Sequence, residues 1–170
     1  HEVSKKWSTA LLLHDAFLKK TDVDFNKDGF RDIPSGNLFT ALNRWQYFGE
    51  KGIEMQFGGR VLMDDKTGGL TSFNPKKNKL GTDVYGLGFD ISRYEVFSKI
   101  GYVFPGRKYK SVGLQLSAIS HKQDSYFGTT VYNASQKNYY ANLIYQSIIS
   151  NTNHKFRTGL SVVADRYDEL

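Results

Sequence analysis

The chain has 170 residues, 39% hydrophobic and 15% aromatic, with no cysteine and a formal net charge of +6. Without cysteine there is neither a disulfide framework nor a thiolate metal site, and no apolar run approaches the roughly 20 residues of a membrane-spanning helix. The 23 Lys and Arg residues are spread over the whole chain rather than gathered into one stripe, so no nucleic-acid partner is expected.

Two-residue alternation runs through the chain, the signature of strands with one apolar and one wet face. Residues 3–18 place Trp7, Thr9, Leu11 and Leu13 on one face and Lys6, Ser8, Ala10 and His14 on the other, with Leu12 out of pattern. After a polar stretch, residues 37–48 set Phe39, Ala41, Trp45 and Tyr47 against Thr40, Arg44 and Gln46. Gly49 and Gly52 then allow a tight turn. Ile53, Met55, Phe57, Val61 and Met63 oppose Glu54, Gln56 and Arg60 in the third segment. Residues 64–92 read as a long connection, with 84–91 partly extended. Residues 93–104 form a fourth strand and, beyond the turn at 105–108, residues 110–124 a fifth. A loop over 125–137 is expected next. Two further strands follow, separated by a turn at 150–154. One carries Tyr139, Ala141, Leu143 and Tyr145, and the other Phe156, Leu160 and Val162.

Connections therefore alternate long and short, which gathers the long loops at one end of an antiparallel sheet. Outer-membrane barrels have this asymmetry, with an even number of strands in the usual bacterial case. The expected fold is all-β: about seven strands of a larger transmembrane barrel, with residues 1–170 a partial barrel domain. The chain begins at His1 and ends on Leu170 without initiator methionine or leader, so both ends are expected to be cuts in a longer protein. Trp7, Trp45, Tyr47, Tyr94, Tyr102 and Tyr145 would form interfacial girdles, or else pack against another layer.

Residues 24–32 read D-x-N-x-D-G-x-x-D, the first nine positions of an EF-hand-type loop. The candidate calcium ligands are Asp24, Asn26, Asp28, the carbonyl of Phe30, and Asp32, all hard oxygen donors at alternate positions. Ser35 stands where the bidentate Glu would be, so a further donor such as Asp22 or a neighbouring loop is needed. The alternative is a solvated loop of Asx turns. His1, His14, His121 and His154 lack metal-ligand spacing, and His14 and His121 read as lining residues on the wet face. Glu95 with Lys99, and Arg60 with Glu54, read as salt bridges on that face. The chain offers no defensible catalytic triad or carboxylate pair, and no enzyme is expected.

The segments FNKDGFRDIP (25–34), LNRW (42–45), RYEVFSKIGY (93–102), QDSYFG (123–128) and HKFRTG (154–159) resemble the barrel of TonB-dependent outer-membrane receptors of the Bacteroidetes. The resemblance implies a 22-strand barrel around an N-terminal plug, absent from this segment, through which the TonB complex drives uptake. It implies a location in the outer membrane, surrounded by its lipid, and a large scarce ligand: cobalamin or another metal chelate such as a siderophore or haem. Loop calcium is known among the vitamin B12 receptors that the chain resembles, and a surface lipoprotein is a further candidate partner. Ligand contacts would fall within residues 64–92 and 125–137. The alternatives are a passive porin-like barrel and a soluble calcium-binding β-sandwich that recognises glycans, with the Leu114 and Leu143 faces buried against each other.

Overall fold

The computed structural model describes residues 2–18 and 23–169. Its strands are β1 (Trp7–Leu18), β2 (Ser35–Phe48), β3 (Ile53–Gly69), β4 (Gly86–Val103), β5 (Ser111–Phe127), β6 (Thr130–Ile149) and β7 (Asn151–Glu169). They form a single antiparallel meander in chain order, an open sheet with β1 and β7 as its edges. Each strand touches only the strands before and after it. Leu114 and Leu143 are direct cross-strand partners on one face rather than opposed across two layers.

The registers stack the alternating residues into rows across the sheet. One row runs Trp7, Tyr47, Met55, Ile100, Leu114, Leu143 and Leu160. The next but one runs Leu11, Asn43, Gly59, Val96, Ala118, Tyr139 and Ala164. Such rows make one face apolar across all seven strands, and no described residue covers it: Leu13 is 65% exposed and Leu160 77%. Two polar residues on this face, Asn43 and Thr9, have their side chains hydrogen-bonded within the sheet. The Asn43 amide accepts from Trp45 Nε1 at 2.7 Å and donates to the Ala10 carbonyl at 3.3 Å. Thr9 Oγ1 donates to the Arg44 carbonyl at 3.0 Å.

The apolar band is slanted. Its last row toward the long connections holds Phe39 and Met63 on β2 and β3, then Tyr94 on β4 one row lower. On β5, β6 and β7 it drops one row further, to Ala118, Tyr139 and Ala164. The opposite margin falls equally, from Tyr47 on β2 to Phe156 on β7. Two rows are four residues, ~14 Å of strand, while five inter-strand gaps span ~24 Å, so the band crosses the strands at roughly 30° from perpendicular.

Strand limits differ from the expectation where polar residues occupy both faces. β1 starts at Trp7 rather than residue 3, because Val3 and Ser4 turn back to the Trp7 carbonyl. β3 continues to Gly69 and β4 begins at Gly86, leaving only residues 70–85 as a connection. The expected loop over 125–137 is a hairpin with a two-residue turn, Gly128 and Thr129. Beyond the apolar band both faces are wet, so alternation fades while backbone pairing persists. The long–short order of connections therefore fails at its third long member. The last turn is also tighter than expected: Ser150 alone, at φ +66°, joins β6 to β7 beside a register shift at Ile148/Ile149.

Candidate functional site

The other face is polar. A row of Ser8, Gln46, Gln56, Lys99, Gln115, Asn142 and Ser161 crosses every strand. Nearer the long connections, His14, Thr40, Leu62, Arg93, His121, Gln136 and Tyr167 share another, so both histidines lie on the wet face as the alternation predicts. Glu95 joins Arg60 and lies 3.8 Å from Arg93. The expected same-strand pairs, Glu95 with Lys99 and Arg60 with Glu54, are not formed. Four to six residues along a strand is ~13–20 Å, whereas cross-strand neighbours sit about 5 Å apart.

Around this cluster Gln136 Nε2 donates to Tyr167 Oη at 2.7 Å, and Asn138 Nδ2 to Asp165 at 2.7 Å. Arg93 Nε and His121 Nδ1 are shielded from water yet have no protein partner. Such groups are ordinarily satisfied, so they present hydrogen-bonding capacity to whatever lies against the polar face. Sequence reasoning could place Arg93 and His121 on this face but not opposite each other, since that depends on register.

Connection 70–85 folds back over the sheet beyond the apolar band. Phe73, 3% exposed, packs 6.3 Å from the Tyr126 ring. It lies against Gly86, where a Cβ would come within 2.3 Å of its ring. Lys79 sits 4.9 Å above Tyr126. A cleft of about 620 Å³ opens there, between Lys66, Lys79, Phe89, Asp90 and Asp124. Much of the two stretches expected to contact ligand is therefore strand.

The acidic loop docks on the same connection. Arg31 N–H donates to the Gly69 carbonyl at 2.9 Å and Thr71 N–H to the Gly29 carbonyl at 2.8 Å. These bonds flank the Phe30–Leu70 bridge and do not draw on the Phe30 carbonyl. Arg31 also donates to the carbonyls of Thr71 and Phe73 at 3.1 and 2.8 Å. Within the loop, Asp24 accepts from the N–H groups of Asp28 (3.1 Å) and Gly29 (2.8 Å), Asn26 Oδ1 from Asp28 (3.2 Å), Asp28 from Phe30 (2.8 Å) and Asp32 from Phe25 (2.6 Å). Lys27 and Gly29 both have positive φ, and the side-chain oxygens of Asp24, Asn26, Asp28 and Asp32 form Asx-type bonds to the loop's own N–H groups.

No known family model, curated protein or solved structure matches this chain. The arrangement must therefore be read from its own chemistry. The loop carries three carboxylates, an amide oxygen and the Phe30 carbonyl, oxygen donors of the kind a hard cation takes, with the side-chain oxygens also accepting loop N–H groups. Among the described residues no three acidic or histidine side chains converge closely enough to hold a metal alone, so amide and carbonyl oxygens would have to complete the shell. Asp22, the candidate extra ligand, lies outside the described residues, as does His1.

Proposed function

We propose that the chain is a section of the wall of an outer-membrane barrel receptor of the TonB-dependent type. Its ligand would be large and scarce, cobalamin or another metal chelate such as a siderophore or haem. The observation that carries the membrane part is the slanted, uncovered apolar band. Strands in barrels tilt 35–45° to the axis, so a membrane-level band must cross them obliquely; a soluble sheet has no such requirement. The Trp7 and Tyr47 rings meet at 4.8 Å in a tilted contact near one margin, with Tyr102 and Tyr145 close by; Tyr94 and Tyr139 mark the other. Contact restricted to neighbouring strands favours a wide wall, since small barrels are filled by their own side chains.

The TonB-dependent assignment and the ligand class rest on the sequence resemblance. The plug, the TonB complex that acts on it, and any surface lipoprotein belong to that reading. Arg93, His121, Gln136 and Tyr167 would then face the lumen. Expressed with its parent protein in a Gram-negative host, the chain should fractionate with the outer membrane. The purified receptor should bind cyanocobalamin, a ferric siderophore or haem below micromolar concentration. Recovery in the soluble fraction would reject the wall, whereas membrane recovery without binding of any chelate would reject only the ligand class.

Calcium is proposed as a structural ion of residues 24–32, through Asp24, Asn26, Asp28, the Phe30 carbonyl and Asp32. It would stiffen the loop that braces connection 70–85 and perform no chemistry. At one hundred times its dissociation constant, calcium should raise the stability of the loop by about 2.7 kcal/mol. The readout is amide exchange at Gly29 and Thr71, with and without chelator. Protection should become calcium-independent in Asp28→Ala, and identical exchange with and without calcium in the parent protein would dismiss the ion.

A further inference from the structure

On the apolar face, one row lies inside the slanted band on β1 to β4 and just beyond it on β5 to β7, and it changes character accordingly. It reads Leu13, Ala41, Val61 and Tyr94 on β1 to β4, then Ser120, Lys137 and Arg166 on β5 to β7. Lys137 and Arg166 are direct cross-strand partners, and Lys122 lies diagonal to Lys137 one row further out. Like charges at that spacing destabilise a sheet unless a counter-charge is supplied. Asp124 contacts Lys122 at 2.7 Å and Asp168 contacts Arg166 at 3.2 Å. Of the three cations, Lys137 is the one without an ion-pair partner among the described residues, so its charge is left uncompensated beside Arg166.

An open groove of about 570 Å³ lies on the apolar face at this level, with Lys137 among its lining residues. Val96 and Ala118 help line it, with Tyr94 and Tyr139. We infer that Lys137 and Arg166, assisted by Lys122, bind the phosphate of a membrane lipid whose acyl chain lies in this groove. The inference rests on the membrane-wall reading. A cation at the mouth of an apolar groove complements an anionic amphiphile, whereas a free anion would use only the cations. Phosphate takes charge-assisted bonds from both Lys and Arg, and the headgroup level is where the band ends.

The test uses the parent protein reconstituted in vesicles of brominated phosphatidylcholine with increasing brominated phosphatidylglycerol. Trp7→Phe, Trp45→Phe and Tyr139→Trp together place the only tryptophan of this segment beside the site. Fluorescence quenching should show phosphatidylglycerol favoured over phosphatidylcholine by roughly five-fold or more. Lys137→Gln with Arg166→Gln should reduce that preference to about one. Equal quenching by the two lipids, or a preference unchanged in the double variant, would overturn the site. A preference abolished by excess inorganic phosphate would also overturn it, assigning the cations to a free anion. Trp7 and Trp45 in the unaltered protein form a separate control: if brominated phosphatidylcholine fails to quench them, the membrane reading itself fails. Should the reporter variant not fold, anionic lipid co-purifying with wild-type protein and with the double variant decides the question. The exposed Gln substitutions lie away from the core, so retention should fall by the same factor, and equal retention would reject the site.

Discussion

Replacing Leu143 by Arg should destabilise the bilayer-folded protein by about 2–4 kcal/mol, the cost of a cation near the middle of a lipid-facing strand. The neighbouring change, Asn142→Arg, points to the polar face and should stay within about 0.5 kcal/mol. Urea titration of protein refolded into vesicles measures both. Leu143 is 46% exposed and packs in no second layer. In water, its replacement by Arg would therefore behave like any surface substitution. Similar costs at the two positions would mean that both faces meet the same medium, and the wall proposal would fall.

Phe73→Ala should open connection 70–85 while leaving the sheet intact. Truncating a fully packed Phe costs about 3–5 kcal/mol, and this pocket, framed by Gly86 and Tyr126, should lie near the lower figure. Hydrogen exchange should accelerate at Leu70 and Thr71, whose N–H groups bond to Tyr85 and Gly29, while the centres of β3 and β4 remain protected. Trypsin should gain access to Lys76 and Lys77. Gly86→Val, which fills the same pocket from beneath, should give the same pattern. Loss of protection throughout β3 and β4 would show that Phe73 supports the whole sheet rather than the connection. Because Gly29 is tied to Thr71, the acidic loop should also lose protection.

The strands were legible wherever one face is apolar and the other polar. Ile53 through Met63 could be assigned without coordinates because every second residue is apolar or glycine. Legibility ended with the band: Ser125, Tyr132 and Asn133 alternate nothing, yet they lie in paired strands, and Ser125 Oγ donates to the Tyr132 carbonyl at 2.7 Å. Turn-forming composition was mistaken there for a loop. The acidic loop was visible in its spacing because Asx turns are local. Its docking onto Leu70 was not, since that contact joins residues forty positions apart. Cross-strand register likewise decided what spacing could not: that Glu95 joins Arg60, and that Lys137 faces Arg166.

Because each strand touches only the one before it and the one after it, the sheet is connected like a zipper. Successive hairpins close turns as short as one or two residues, so the entropy of bringing each new strand into place is small. Order can grow strand by strand from either side, as in repeat arrays with nearest-neighbour coupling. The weak steps are those across 19–34 and 70–85, where a longer closure precedes pairing. Docking of the acidic loop against Leu70 then joins those two slow connections to each other. β1–β2 and β3–β4 should therefore mature together, while β5, β6 and β7 zip independently of them.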